Sequence, residues 1–448
     1  MDYQYAKLGT NKGRRRLWFE GEILNKSGFA PNTPYRRVNN PDGKQISLFK
    51  LDENDYVSTD RRVTKSMRGD KPRPIIDLCD KSIETILGDV ERVRVQLSYG
   101  LIVISAHPED QAKSDRESRF TDNKNKGQIT HASLFTGGGI STDAIHSALN
   151  EEGLIKTGCT WVCEADSKYI NEAQQNCFAI DDETVILNGL VEEVETQLFT
   201  EVDVLSLSME CAGFSKAGKV KHKMSAEEHS GTALFGVMNA IKSSNPAVII
   251  SENVMEAMNS PMYVLLTSEL KRLGYKVFET ELSNKQTGSV ERRRRYWLTA
   301  ISENLAPDDI SLLDVAPNSI PLKHYLDSVP ESMWADNQYL KDKQIRDAAA
   351  GKGFANRQLL TGEETEVGTI GRHYAKRRST EPFMVRADNK ERLFTPEEHA
   401  KLKSIPQRLV PKTGMTIAHQ ILGQSVDYLQ PYKLMQCVIN RIRPLLIS

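Results

Sequence analysis

Residues 131–150 read HASLFTGGGISTDAIHSALN, and this stretch decides the fold. An apolar segment with the pattern of a buried strand leads into a glycine turn, and a helical segment follows. In this order the chain presents backbone N–H groups at the start of a helix, where nucleotide-like ligands bind. The stretch therefore predicts one strand–turn–helix unit of an α/β fold with a doubly wound, mostly parallel sheet.

The next predicted strand, at residues 161–166 (WVCEAD), ends in acidic residues. Glu164 lies 25 residues after Gly139, close to the offset at which an acid on the second strand binds ribose hydroxyls. Ligands in such sheets bind at the carboxyl ends of the strands. The glycine turn and Glu164 together favour a nucleotide-like ligand at this edge of the sheet.

Two further strands are predicted to end in reactive side chains. Residues 204–219 (VLSLSMECAGFSKAGK) begin with an apolar run that ends at Cys211, and a turn of small residues follows. Residues 246–254 (PAVIISENV) form a second apolar run, which ends near Glu252. A buried cysteine is usually a small hydrophobic residue. A thiol that faces backbone N–H groups or basic side chains can instead act as a nucleophile. The pattern places a thiol and a carboxylate at neighbouring strand tips.

A run of arginines enters an aromatic strand at residues 290–298, VERRRRYWL. The simplest interpretation of such a run is a solvated charge cluster. The alternation of a strand would, however, place Arg293 and Arg295 on one face and Arg292 and Arg294 on the other. We expect one of these pairs to point inward.

In this order and spacing, the segments resemble the cytosine-C5 DNA methyltransferase family. Its signatures are a Phe-x-Gly-x-Gly turn, a Pro-Cys loop, Glu-Asn-Val and Gln-x-Arg-x-Arg, and residues 392–406 and 423–426 look like its two C-terminal motifs. The resemblance covers residues 131 to the C-terminus apart from one variable insert. The matching residues are Phe135, Gly137, Gly139, Cys211, Phe214, Ser215, Glu252, Asn253, Val254, Arg293 and Arg295.

The resemblance implies a methyl donor and a place for it. S-adenosylmethionine would lie across the turn at residues 135–139, with Glu164 on its ribose. Gln424 and Ser425 would approach its methionine end. The family's adenine-binding acid has no clear counterpart in residues 186–191, ILNGLV, so the resemblance assigns no adenine contact.

The resemblance also implies a covalent mechanism. Cys211 would add to C6 of cytosine, and Glu252 would protonate or hydrogen-bond N3. Arg293 and Arg295 would fix O2 of the base and hold the loop and the carboxylate in place. Because the target carbon is inaccessible inside a duplex, the base would be flipped into the pocket.

Three positions depart from the family pattern. Glu210 stands where proline is usual, Glu291 where glutamine is usual, and Gln424 where asparagine is usual. A carboxylate beside a thiol disfavours the thiolate, so Glu210 could slow attack, although its backbone carbonyl can still do the proline's job. We expect catalysis to be retained.

Double-stranded DNA is the expected partner. The net charge of −1 does not indicate a protein that coats nucleic acid indiscriminately, so binding must rely on local basic patches. These are residues 12–16, 216–223, the arginine run and 372–378. We expect Ser215, Lys219, Thr369 and Arg372 to contact the DNA.

Composition excludes several classes. The 448 residues contain no apolar run of membrane-spanning length, and the charged first residues lack the apolar core of a secretory signal. The six cysteines do not form a disulfide framework, and Cys159 with Cys163 lacks a second pair for zinc. We expect a soluble, cytoplasmic, nucleoid-associated protein of a bacterial or phage-infected cell, with reduced thiols and no metal.

The N-terminal residues predict a small β domain. Two of its runs, residues 15–24 (RRLWFEGEIL) and 28–38 (GFAPNTPYRRV), resemble swapped-hairpin DNA-binding modules of the transition-state-regulator and SymE-toxin type. An appendage for packing or self-association, and thus for oligomer formation, is the alternative. Residues 90–105 are a candidate second hairpin, but the sequence shows no convincing repeat.

Five segments are predicted along the chain. They are the β-rich module at 1–107, a polar linker at 108–128, the catalytic and cofactor-binding core at 129–305, a target-recognition insert at 306–388, and a C-terminal return to the catalytic domain at 389–448.

Four other functions stay open at this point. An RNA cytosine methyltransferase would share the core chemistry, but the long insert and the β module favour duplex DNA. A non-catalytic DNA-binding regulator would explain Glu210. A dinucleotide-dependent oxidoreductase would leave Cys211 and Glu252 unexplained, and nothing in the sequence requires a donor other than S-adenosylmethionine.

Overall fold

The computed structural model describes residues 1–68, 71–156, 158–209, 220–351 and 358–443. The chain divides into two compact units, Met1–Asp115 and Arg116–Ser448. In the described part of the chain, no helix combines the length and the apolar character needed to cross a membrane.

The first unit consists of two antiparallel sheets around one apolar core, as the β-rich pattern of its sequence predicts. Alternate residues of each strand point into this core; on β9 they are Val93, Val95 and Leu97, all buried. Its elements are β1 (Asp2–Lys7), β2 (Gly9–Asn11), β3 (Arg14–Glu20), α1 (Glu22–Lys26), β4 (Pro34–Asn40), β5 (Gln45–Lys50), β6 (Arg61–Arg62), β7 (Thr64–Arg68), β8 (Lys71–Cys79), α2 (Ser82–Leu87), β9 (Arg92–Ser98) and β10 (Leu101–Ala106).

The first unit consists of two equivalent halves, an internal repeat that the sequence did not reveal. The four-stranded sheet has the order β2-β3-β8-β7, and the six-stranded sheet has the order β1-β9-β10-β5-β4-β6. If each of β1–β5 is exchanged with its counterpart in β6–β10 (β1 with β6, β2 with β7, and so on), each strand order becomes its own reverse. Equivalent strands meet at the centre of each sheet, where Leu17 pairs with Leu78 and Ser47 with Val103. The two halves complete each other's sheets within one chain.

The residues predicted to form a polar linker form a helix, α3 (Pro108–Lys126), and the boundary between the two units, after Asp115, falls within it. Phe120 on this helix is buried, and so are Arg116 and Glu117. The Arg116 Nε donates to Ser302 Oγ at 2.9 Å, and this hydroxyl donates to Glu117 Oε1 at 2.6 Å. Polar residues can dock a helix when each buried group finds a partner.

The second unit is built on a seven-stranded sheet of order β13-β12-β11-β14-β15-β17-β16, in which only β17 runs antiparallel to its neighbours. This confirms the predicted α/β class. The elements are β11 (His131–Leu134), α4 (Ile140–Glu151), β12 (Trp161–Glu164), α5 (Ser167–Asn176), β13 (Val185–Asn188), β14 (Val204–Leu207), α6 (Val220–Ser244), β15 (Val248–Asn253), α7 (Pro261–Arg272), β16 (Tyr275–Leu282), α8 (Asn284–Thr287) and β17 (Arg295–Ser302).

Helices cover both faces of this sheet. Along β15, Ile249 packs in one core while Val248 and Ile250 pack in another on the opposite face. This arrangement explains why the strands read as continuous apolar runs rather than alternating ones. It leaves the carboxyl ends of the parallel strands as the place for a ligand.

The remaining elements form a small three-stranded sheet, β18-β19-β20, and four helices. The helix α12 packs against α4 of the sheet domain, so the end of the chain returns to the core. These elements are α9 (Gln338–Ala349), β18 (Gln358–Leu360), β19 (Pro382–Val385), β20 (Glu391–Arg392), α10 (Pro396–Leu402), α11 (Met415–Gln424) and α12 (Leu429–Arg441).

Candidate active site

The glycine turn between β11 and α4 is a tight, left-handed segment. Phe135, Gly137 and Gly139 have φ angles of 56°, 57° and 78°. A phenylalanine in this region is uncommon and marks a backbone held in place by its surroundings. The Thr136 N–H donates to the Cys163 carbonyl at 3.1 Å, which fixes the turn to the neighbouring strand. The first turn of α4 therefore points its backbone N–H groups at the sheet edge.

The carboxylate of Glu164 closes this turn from the next strand. Its Oε2 accepts from the Gly137 N–H at 2.7 Å, and its Oε1 accepts from the Asp166 N–H at 2.9 Å. A carboxylate oxygen can accept more than one hydrogen bond. Glu164 thus has the capacity to accept from ligand hydroxyls as well as to hold the glycine turn.

The end of α11 lies directly on the glycine turn. A Cβ added to Gly138 would lie 2.3 Å from Ile421 Cγ2, and one added to Gly137 would lie 3.7 Å from Gln424 Nε2. Ser425 follows and donates its hydroxyl to the Leu422 carbonyl at 2.8 Å. The structure therefore brings Gln424 to the predicted cofactor turn, with Ser425 as its chain neighbour.

The strand that leads towards Cys211 is tied to the strand that carries Glu252. Ser208 Oγ donates to Glu252 Oε2 at 3.3 Å, and Asn253 Nδ2 donates to the Met209 carbonyl at 3.1 Å. Cys211 lies outside the described residues. Met209, the last described residue before Cys211, nevertheless contacts the tip of β15 through its carbonyl.

Glu252 forms an ion pair with one of the predicted arginines. Arg295 Nε lies 2.8 Å from Glu252 Oε1, and both side chains are mostly buried. The register of the sheet explains the contact, because Glu252 pairs with Trp297 on the adjacent antiparallel strand. The carboxylate is therefore held in one orientation from both sides, by Arg295 and by Ser208.

Arg293 points inward but contacts backbone rather than Glu252. Its Nη2 donates to the Gly423 carbonyl at 3.0 Å and to the Gln424 carbonyl at 3.4 Å. Arg292 and Arg294 are exposed, as the alternation predicted. The strand itself begins only at Arg295, so the expected strand over the whole arginine run was wrong.

A buried lysine joins this arrangement. Lys403 Nζ donates to the carbonyls of Leu422 and Ser425 and lies 3.8 Å from Glu291 Oε2. Burial lowers the pKa of Lys403 well below its ordinary value, and Glu291 opposes that change. Lys403 and Arg293 together hold the loop that carries Gln424 and Ser425, through hydrogen bonds to its backbone carbonyls.

The predicted DNA-contact residues are only partly described. Thr369 is exposed and donates its hydroxyl to the Arg292 carbonyl at 3.0 Å. Arg372 is exposed and donates to the Tyr169 hydroxyl at 2.9 Å. Ser215 and Lys219 lie outside the described residues. Thr369 and Arg372 border the site near the arginine run and α5.

The described cysteines offer no competing nucleophile in this cleft. Burial raises the pKa of Cys159 and of Cys163 to about 12, which keeps both as thiols. Cys79, Cys159, Cys163, Cys177 and Cys437 are all free. Within the described ranges, no group of three or more His, Cys, Asp or Glu side chains could hold a metal ion.

Sequence reasoning missed three contributors to the site. Lys403 resembles an ordinary surface lysine in its local sequence, and Ser208 carries no motif. Gln430 donates from Nε2 to the Arg293 carbonyl at 2.8 Å, and its Oε1 accepts from Trp297 Nε1 at 3.1 Å. Only the three-dimensional arrangement identifies these residues, because each acts across a long sequence separation.

Comparison with known protein families and proteins identifies relatives of this chain. Residues 129–438, more than half of the chain, match the model of the family described as C-5 cytosine-specific DNA methylase. The Type II methyltransferase M1.ScrFI of Lactococcus lactis subsp. cremoris is 22% identical over 253 residues, 53% of this chain and 62% of that protein. The Type II methyltransferase M.NlaX of Neisseria lactamica is 24% identical over 286 residues, 62% of this chain and 87% of that protein. The chain thus spans less than two thirds of the Lactococcus protein.

Solved structures share the fold. The S. pombe Dnmt2 methyltransferase has a TM-score of 0.57 at 16% identity, over 70% of this chain and 98% of that chain. The Entamoeba histolytica methyltransferase EhMeth has a TM-score of 0.56 at 16% identity, over 70% of this chain and 98% of that chain.

Proposed function

Because the chain belongs to the C-5 cytosine-specific DNA methylase family, we propose that it transfers a methyl group to C5 of a cytosine in duplex DNA. The observation that carries this proposal is the contact between β14 and β15. Ser208 and Met209, just before Cys211, bond to Glu252 and Asn253. A thiol and an oriented carboxylate at one strand edge suit addition to a pyrimidine ring.

Members of this family use S-adenosylmethionine, which when bound supplies an electrophilic methyl group. The glycine turn fits such a ligand, because Gly137 and Gly139 adopt positive φ angles and the helix α4 begins directly after them, with the backbone N–H groups of its first turn available to a ligand. Phe135 would line the same turn. Glu164 would accept from the ribose hydroxyls, while Gln424 and Ser425 would bind the methionine end.

Cys211 would supply the nucleophile. Its thiolate adds to C6 of the cytosine, and the electrons of the C5–C6 bond make C5 nucleophilic enough to take the methyl group. Loss of the C5 proton then expels the thiolate and restores the aromatic ring. Because C5 and C6 are covered in a stacked duplex, the target nucleotide would be flipped into the pocket.

Glu252 and Arg295 would act directly on the base. Addition at C6 places negative charge on the ring, and a protonated Glu252 hydrogen-bonded to N3 would relieve it. Arg295 holds the same carboxyl group at 2.8 Å and presents planar donors that suit O2 of the base. Arg293 is 3% exposed, so we assign it a positioning role on the loop at residues 423–424 instead of contact with O2.

DNA contacts would come from the surrounding segments. We assign residues 306–388 to target recognition, with Thr369 and Arg372 at its border with the site. Ser215 and Lys219 would contact the duplex from the segment that carries Cys211. Phosphate contacts by the basic residues would set affinity, while contacts with base edges would set sequence preference.

Expression in a methylation-free bacterial host, followed by conversion sequencing for 5-methylcytosine, tests the proposal. We expect methylation at one short DNA motif and none with Cys211→Ser. A purified duplex with 5-fluorocytosine at the target should trap a covalent complex, because fluorine cannot leave as a proton does. Cys211→Ser should form no such complex.

The alternatives give different results. An unmethylated genome, together with labelling of RNA by the purified protein, would replace the DNA proposal with an RNA substrate. Methylation that survives Cys211→Ser would refute the nucleophile assignment. Glu210→Pro should leave turnover equal or higher if the glutamate is merely tolerated, and a large loss would give Glu210 its own role.

A further inference from the structure

Ser208 follows the last residue of β14, in the position that faces Glu252 on β15. The parallel pairing of these two strands ends with Leu207 opposite Ser251, so the next step of the register places Ser208 opposite Glu252. The half-buried hydroxyl group of Ser208 donates to Glu252 Oε2 at 3.3 Å. Because residues in register on adjacent strands point to the same face of a sheet, the fold itself brings this hydroxyl group to the carboxyl group.

The two carboxyl oxygens of Glu252 have chemically different partners. Arg295 Nε lies 2.8 Å from Oε1, and a guanidinium group has donors only. Ser208 bonds to Oε2, and a hydroxyl group can either donate or accept. Oε1 must therefore always accept from Arg295, whereas a proton on Oε2 finds an acceptor in Ser208. This difference makes Oε2 the oxygen that carries the proton of a neutral Glu252.

Arg295 is itself held in place, so the Oε1 side of the carboxyl group is the fixed side. Arg295 Nη1 donates to the Arg294 carbonyl at 2.8 Å, and the backbone of Arg295 pairs with Leu282 on β16. The hydroxyl hydrogen of Ser208 can instead rotate to suit its partner. The carboxyl group of Glu252 thus has one rigid partner and one partner that can follow its protonation state.

Two other serines near this strand edge have structural partners. Ser206, two residues earlier on the same strand, donates to a backbone carbonyl of β11 at 3.3 Å. Ser251 forms a hydrogen bond with the Tyr263 hydroxyl group at 2.9 Å. In the part of the chain that the structure describes, Ser208 is the hydroxyl-bearing residue that contacts the carboxyl group of Glu252.

We propose that Ser208 is a positioning residue that keeps the protonated oxygen of Glu252 directed at the target base. This role rests on the proposed function. As the sulfur of Cys211 bonds to C6, the π electrons of C5–C6 move to C4–C5 and those of C4–N3 move to N3, which takes the proton from Oε2. The Ser208 hydroxyl group then donates to the carboxylate that is left, and the proton returns to Oε2 when the thiolate leaves.

The test uses the full-length protein and a duplex that carries the DNA motif mapped by conversion sequencing. Ser208→Ala removes the hydroxyl group, Ser208→Thr retains it, and Ser206→Ala is the matched control on the same strand. Methyl transfer at steady state gives kcat and KM, and calorimetry gives the affinity for S-adenosylmethionine. Unchanged thermal midpoints will show that all variants fold.

Ser208→Ala should lower kcat about tenfold, the effect of losing one hydrogen bond in the transition state. KM for the duplex and the affinity for S-adenosylmethionine should stay unchanged, because the lost contact acts on the proton donor and not on binding. Ser208→Thr should keep kcat within about threefold of the wild type. Ser206→Ala should turn over like the wild type.

A duplex with 5-azacytosine at the target separates positioning from a general defect of the site. The additional ring nitrogen makes C6 more electrophilic, so addition of the thiolate depends less on a proton from Glu252. We therefore compare the rate of covalent capture of this duplex with that of the 5-fluorocytosine duplex. The deficit of Ser208→Ala should shrink from about tenfold with 5-fluorocytosine to about twofold with 5-azacytosine.

Four results would overturn this role of Ser208. They are a Ser208→Ala variant with the kcat of the wild type, a loss that Ser208→Thr does not recover, an increase in KM at unchanged kcat, and equal slowing on the two modified duplexes. Wild-type protein that neither methylates the cytosine duplex nor captures a modified one would contradict the proposed function, and the role of Ser208 with it. An active wild type with an equally active Ser208→Ala would contradict the role of Ser208 alone.

Discussion

Lys403 and Glu291 lie buried together beneath the candidate cofactor loop, with Lys403 Nζ 3.8 Å from Glu291 Oε2. Both side chains are fully inaccessible to solvent. The glutamate stands where the family motif usually has glutamine. The amino group of Lys403, the C-cap residue of α10, therefore lies beside the glutamate that replaces the usual glutamine. The same amino group bonds to the carbonyls of Leu422 and Ser425 and so helps to hold the loop at residues 422–425.

Glu291→Gln should therefore destabilise the protein. Glutamine can still accept from the Ile370 N–H, which bonds to Glu291 Oε1 at 2.7 Å. Lys403 would, however, lose its nearest carboxylate while staying buried. Removing one partner of a buried pair typically costs about 3–5 kcal/mol, and chemical denaturation measures the loss.

The double variant Glu291→Gln/Lys403→Met is the control for this pair. Removing both charges together should restore part of the lost stability, because Lys403 no longer lacks a partner, while buried Arg293 still loses the carboxylate that lies 3.6 Å from it. Losses that simply add would show that the two groups do not interact. Lys323→Met, at an exposed lysine paired with Glu363, should change stability little.

Asp427 should make stability depend on pH. Burial raises the pKa of Asp427 to about 6, whereas an aspartate in an unfolded chain titrates near about 3.9. Between these values the folded protein holds a proton that the unfolded chain has released. The free energy of unfolding therefore falls as pH rises from about 4 to about 6, and the loss is complete above that window.

Asp427→Asn should remove this dependence. As pH rises from about 4 to about 7, the free energy of unfolding of the variant should increase relative to that of the wild type by about 2–3 kcal/mol, because the two pKa values differ by about two units and each unit corresponds to about 1.36 kcal/mol. Denaturation at several pH values measures the difference. A difference that stays constant across the window would contradict the prediction.

The glycine turn gives a prediction with a close control. A Cβ at Gly138 would lie 2.3 Å from Ile421 Cγ2, whereas a Cβ at Gly189 has open space within 4 Å. Gly138→Ala should push α11 away from the turn, cost about 1–3 kcal/mol of stability, and weaken S-adenosylmethionine binding measured by calorimetry. Gly189→Ala should bind like the wild type, and equal effects of the two changes would refute the packing argument.

Much of the site followed from the sequence because strand ends are local signals. Glu164 and Glu252 fall at the carboxyl ends of β12 and β15, as the apolar runs before them predicted. Parallel strands bring such ends to one edge. Phe135, Gly137 and Gly139 could be placed for the same reason.

The rest depended on contacts that no local pattern reports. Lys403 meets Glu291 across more than 100 residues, and a lysine after an amphipathic helix reads as a surface residue. The helix over residues 108–126 looked like a linker because its buried groups include Arg116 and Glu117. The repeat in the first unit was missed because its halves share strand order and not sequence.

Arg295→Lys should separate orientation from charge at the candidate catalytic carboxylate. Lysine keeps the positive charge beside Glu252 but lacks the planar donors through which Arg295 bonds at 2.8 Å. We expect kcat to fall by about 10²-fold or more, because positioned groups of this kind contribute at least that much, while the affinity for S-adenosylmethionine stays unchanged. Arg294→Lys, which changes an exposed arginine paired with Glu281, is the matched control and should keep full activity. If Arg295→Lys turns over like the wild type, the carboxylate does not need this partner. If it instead loses cofactor binding, Arg295 supports the fold of the site and has no role at the base.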